Sequence, residues 1–86
     1  MRLIVYNPSG GAAIWRPRLD AALRVLRSLP SEHVVVRTEK TDMAGPVRRA
    51  LASDPGITQI VACGGDGTVA ACATALEGRD IPIAIV

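Results

Sequence analysis

The five residues Gly64-Gly65-Asp66-Gly67-Thr68 combine the means of approaching an anion closely with one group that would repel it. They follow an apolar, β-branched run, Gln59 to Cys63, and open an alanine-rich stretch, Val69 to Leu76, of helical composition. Three glycines permit unusual φ values and let a ligand lie against the backbone. Free amides and the dipole at a helix N-terminus favour a phosphate there. Asp66 is the exception. A carboxylate fits such a loop if it binds a cation, holds a hydroxyl or accepts a proton. Aspartate is also a common helix cap, and that alternative needs no ligand.

A second turn, Asn7-Pro8-Ser9-Gly10-Gly11, follows the first β-branched run, Arg2 to Tyr6. Asn7 and Ser9 offer hydrogen bonds, and Gly10-Gly11 permits close approach. Taken alone it reads as an ordinary turn. Thr38 follows the run His33 to Arg37, where its plain role is to start the loop to the next helix. In a parallel sheet all three segments leave the same edge, and the two glycine-bearing turns become halves of a nucleotide cleft. Other phosphate loops fit less well. A P-loop needs Gly-Lys-Ser/Thr, and the only lysine, Lys40, is far from the glycines. Gly65 to Ala70 fits G-x-G-x-x-A, but it follows the third strand rather than the first and lacks the later acidic partner.

The elements that must hold these turns alternate in period. Leu19, Leu23, Leu26 and Leu29, with Ala22, recur at three and four and form one stripe of a helix. Pro17 suits its first turn and Pro30 ends it. Arg16, Arg18, Arg24 and Arg27 fall on the solvent side, as a solvated face or as a basic face for an anionic membrane. Met43, Val47, Ala50 and Leu51 share one face of a second helix. Pro46 is compatible with it only if that helix starts near Gly45. Asp54-Pro55-Gly56 is a turn, Gly78 a C-terminal helix stop, and Ile81 to Val86 a fourth apolar run. The order β-α-β-α-β-α-β predicts an α/β fold: an open parallel sheet of about four strands with helices on both faces, Rossmann-like. Ending on a bare apolar strand, residues 1–86 read as the N-terminal, partial nucleotide-binding domain of something longer.

Composition limits the functions available. The chain has 86 residues, 49% apolar and 21% charged, which suits one small globular domain. A net charge of +2 demands no nucleic acid as partner, and Tyr6 and Trp15 are too few for base stacking. No apolar run approaches the ~20 residues of a membrane span, and the N-terminus is no signal peptide. The expected setting is cytoplasmic. Cys63 and Cys72 read as buried small hydrophobes, not as a disulfide or a metal pair, and His33 as structural.

Asn7-Pro8-Ser9-Gly10, Thr38-Glu39 and Gly64-Gly65-Asp66-Gly67-Thr68-Val69, in this order and spacing, resemble the catalytic domain of the diacylglycerol kinase family. That family includes bacterial lipid kinases and sphingosine kinases. The resemblance spans essentially the whole chain. The GGDGT segment alone is shared with NAD kinases and, loosely, phosphofructokinases; the N-terminal motif favours the lipid-kinase branch. The resemblance implies transfer of the γ-phosphate of ATP to a lipid hydroxyl, with Mg²⁺. It implies that Asn7, Pro8, Ser9, Gly10 and Thr38 line the nucleotide site. Gly64, Gly65, Gly67 and Thr68 would wrap the phosphates. Asp66 would be the catalytic carboxylate, as base for the lipid hydroxyl or as organiser of metal and water.

Two departures stand out. Ala70 and Ala71 occupy the place of an Asn-Glu pair common in the family. The family also continues with a P-x-G-T-x-N-D segment and a β-rich second domain that helps build the lipid site. Residues 1–86 are therefore expected to supply part of the ATP site and to be inactive alone. The expected partners are nucleotide and, for the longer protein, a lipid at a membrane surface. A homodimer through the last strand is a further expectation. An NAD-kinase-like phosphotransferase and a degenerate nucleotide- or protein-binding domain are the alternatives.

Overall fold

The computed structural model describes residues 1–7, 16–30, 32–39 and 41–86. Strands β1 (Arg2–Tyr6), β2 (His33–Arg37), β3 (Gln59–Cys63) and β4 (Ile83–Ile85) alternate with helices α1 (Arg16–Ser28), α2 (Ala44–Ser53) and α3 (Asp66–Leu76). Every pairing is parallel and the sheet order is β2-β1-β3-β4. The expected open α/β layer is what forms.

Both faces of the sheet are covered, which is why the strands are apolar without alternation. Leu3, Val5, Ile60 and Ala62 meet Val47 and Leu51 of α2 and Cys72, Ala75 and Leu76 of α3. The residues between them, Ile4, Tyr6, Val61 and Cys63, face the other way and meet Leu23 and Leu26 of α1. Each large aliphatic side chain so buried contributes about 1.5–3 kcal/mol. The Tyr6 hydroxyl donates to the Asp20 carboxylate and ties α1 to the carboxyl end of β1.

Several boundaries differ from the sequence reading. The helix expected from Val69 begins at Asp66, because the Gly65 carbonyl accepts from the amides of Thr68 (3.0 Å) and Val69 (3.3 Å). Helix α2 starts at Ala44, so Pro46 lies in its first turn, where a missing N–H costs nothing. Asp42 Oδ1 accepts from the Gly45 amide at 2.9 Å and secures that turn. Strand β4 is shorter than the run Ile81 to Val86. Pro82 has no N–H for the ladder, although its carbonyl accepts from the Ile60 amide at 3.0 Å. The stop expected at Gly78 is where α3 ends: Gly78 (φ 86°) follows the C-terminal cap Glu77 (φ 51°). Leu29 lies beyond α1 and is exposed, not part of its buried stripe. Arg18, Arg24 and Arg27 face solvent; the side chains of Arg16 and Leu19 lie outside the described residues.

Cys63 and Cys72 are both fully buried. Burial pushes the Cys63 thiol up. Burial, and secondarily Cys63, pushes Cys72 from 9.0 up to about 11. A thiol held neutral in the fold ionises first in the unfolded chain. Its stabilising effect is therefore complete below pH 9 and is lost as pH rises from 9 towards 11. Native protein at pH 8 should resist iodoacetamide at Cys72 and be alkylated there only in denaturant, a difference that mass spectrometry reads directly. No helix among the described residues is long and apolar enough to cross a membrane.

Candidate functional site

Parallel pairing brings the carboxyl ends of all four strands to one rim. The Thr38 amide donates to the Tyr6 carbonyl at 2.9 Å and the Asn7 amide to the Cys63 carbonyl at 3.1 Å. Thr38, Asn7 and Gly64 therefore stand in a row. From β1 the chain runs outward to β2 on one side and later returns to β3 on the other. The crevice between β1 and β3 is the switch point at which open α/β sheets bind ligands. Asn7 flanks it on one side and Gly64-Gly65 on the other. Pro8, Ser9 and Gly10 lie outside the described residues. His33, at the amino end of β2, is at the opposite rim.

The glycines of the turn after β3 are not there for φ. Gly64, Gly65 and Gly67 all avoid positive φ. A Cβ on Gly64 would lie 2.3 Å from Thr68 Oγ1 and 3.0 Å from Thr68 Cβ, so Gly64 is bare because Thr68 is seated against it. Gly65 has φ −93°, and a Cβ there would meet nothing within 4 Å. Among the described residues neither conformation nor packing demands glycine at that position. Among the described residues, a Cβ on Gly67 would meet only Met43, at 3.8 Å.

Asp66 is the first residue of α3, not its cap. Gly65 takes the capping position, with no side-chain cap bond. The capping alternative for Asp66 is thereby overturned. Its carboxylate is exposed and bonds to no group among the described residues. It stands in the first turn, where the Asp66 and Gly67 amides have no intrahelical acceptor.

Three polar side chains are buried along the rim: Asn7 (3% exposed), Thr38 (1%) and Thr68 (1%). Among the described residues, Thr38 Oγ1 and Thr68 Oγ1 have no hydrogen-bond partner. Buried hydroxyls are nearly always paired, and each one left unpaired costs about 1–3 kcal/mol. Unsatisfied hydroxyls, open helix amides and an adjacent free carboxylate fit a phosphorylated ligand with its counter-cation. Among the described residues no group of three or more His, Cys, Asp or Glu side chains could hold a metal by itself. Mg²⁺ commonly takes only one or two carboxylates plus substrate phosphates, so Asp66 suits it.

One contact had no warning in the sequence. Asn7 Nδ2 donates to Met43 Sδ at 3.9 Å, across 36 residues of chain. Met43 was expected on the buried face of α2. It lies just ahead of that helix and reaches over the rim.

This is an open parallel α/β domain with a helix N-terminus at its switch point. The chain belongs to the family described as the diacylglycerol kinase catalytic domain, whose sequence profile matches residues 2–86. It is thus a catalytic domain of lipid-kinase type, of the phosphotransferase class. No curated protein and no solved structure matches the chain significantly.

Proposed function

We propose that residues 1–86 form the nucleotide-binding wall of a kinase that moves the γ-phosphoryl group of ATP to a lipid hydroxyl. One observation carries this reading. Asp66 stands exposed, with no bonded partner among the described residues, at the open amide end of α3, beside a Gly65 whose added Cβ would meet none of those residues within 4 Å. Phosphoryl transfer asks mainly for positioning and charge neutralisation, and the rim offers both. The amides about Gly64, Gly65 and Gly67 and the Thr68 hydroxyl receive phosphate oxygens. Asn7 and Thr38, with Pro8, Ser9 and Gly10, line the nucleotide. Asp66 accepts the proton of the lipid hydroxyl as its oxygen bonds to phosphorus and ADP departs, or it orients the cation and its water. Mg²⁺, when bound, neutralises phosphate charge.

The lipid wall, in this reading, belongs to residues outside 1–86. The 86-residue chain alone should bind nucleotide weakly and turn over no lipid. The longer protein works in the cytoplasm at a membrane surface. The decisive experiment presents ATP to the full-length protein with either diacylglycerol in mixed micelles or NAD. Phosphorylated lipid is the expected product. Phosphorylation of NAD alone would assign the soluble-dinucleotide branch, and transfer to neither acceptor would mark a degenerate domain, for which Ala70 and Ala71 are the motive.

A further inference from the structure

Met43 stands in the crevice itself. Its Sδ accepts from Asn7 Nδ2 at 3.9 Å. Its Cε and Sδ lie 3.8 and 3.9 Å from where a Cβ on Gly67 would sit. One thioether thus reaches from the start of α2 to both walls, Asn7 after β1 and the first turn of α3. We propose that Met43 is a further residue of the nucleotide site, a displaceable side chain that competes with the nucleotide for the Asn7 amide and for the space over Gly67. The inference rests on the nucleotide reading above.

The physical case is a comparison of acceptors. A thioether sulfur is a weak acceptor, and 3.9 Å is a long contact. A phosphate or ribose oxygen is a stronger one. Asn7 is only 3% exposed and Met43 Sδ is one of the groups against its side chain, so a ligand that takes the Nδ2 donor from that sulfur must displace the thioether. Methionine is unbranched, with three rotatable bonds, and swings aside cheaply. The residual cost still lowers apparent affinity by the fraction of time the crevice stands open. Met43 therefore sets how tightly the site binds.

Methyl-labelled methionine reports this directly, because the sequence has two methionines. Met1 is at the opposite rim, its amine donating to the Gly56 carbonyl at 3.1 Å. During titration with ADP, which cannot react, the Met43 methyl resonance should move and that of Met1 should stay. Met43→Ala should bind ADP about threefold tighter or more. Met43→Leu, which keeps the volume and loses the sulfur, should stay within about twofold of the parent. A Met43 resonance unmoved at saturation, or a Met43→Ala variant that binds ADP no better, overturns the proposal while leaving the nucleotide reading intact. Absence of ADP binding by both proteins overturns the two together.

Discussion

Asp66→Ala should lower phosphoryl-transfer turnover of the full-length protein by about 10²–10⁴-fold, the range associated with a positioned acid–base group. The same change should cost at most about 1 kcal/mol of stability, the worth of an acidic residue in a first helical turn. The two effects separate because of where the carboxylate is. It is exposed, does not cap α3 and bonds to no group among the described residues. A thermal melt and a steady-state assay on one preparation measure both. Unchanged turnover would remove Asp66 from the chemistry. A collapse of the melt would make it a scaffold residue.

Gly64→Ala should instead damage the fold. The new methyl would sit 2.3 Å from Thr68 Oγ1 and 3.0 Å from Thr68 Cβ, and Thr68 is buried with nowhere to retreat. Overpacking of this kind costs about 1–3 kcal/mol, a large share of what a small domain has. Urea titration should show a lower midpoint at unchanged slope. Combining it with Thr68→Ala should cost less than the sum of the two, a coupling of about 0.5 kcal/mol or more. Gly65→Ala is the contrasting case. With φ −93° and nothing within 4 Å, it should fold to within about 0.5 kcal/mol of the parent yet bind ADP roughly tenfold more weakly, about 1.4 kcal/mol. Unaltered ADP affinity in that variant would show that no ligand approaches there.

The alternation of β-branched runs with three-four periodicity located all seven elements, and strands β1, β2 and β3 fall on the runs that suggested them. Parallel pairing then put Asn7, Thr38 and Gly64 on one rim, as a right-handed β-α-β chain requires. What sequence could not supply was the reason for each glycine. Gly64 answers to a side chain four residues on, and that i, i+4 spacing in a helix's first turn was the available signal. Gly65 answers to no side chain among the described residues, so its spacing carries no comparable signal. The capping alternative for Asp66 falls because helix α3 begins earlier than its alanine run suggests. Met43 was out of reach altogether. A methionine beside Val47 and Leu51 reads as core, and only the crossing of α2 past β1 turns it towards Asn7.

Both walls of the crevice grow from β1 and β3, the inner strands, each bonded along two edges, while β2 and β4 are bonded along one. Amide hydrogen exchange should therefore start at the three-residue β4 and at β2, with the inner pair exchanging last. Breathing at the periphery leaves the seat of Asp66 undisturbed until the whole domain melts. Of the proposed nucleotide contacts among the described residues, Thr38 is carried on outer β2, where fraying loosens it first. Warming should blur recognition of the nucleotide well before it disturbs the turn at Gly64.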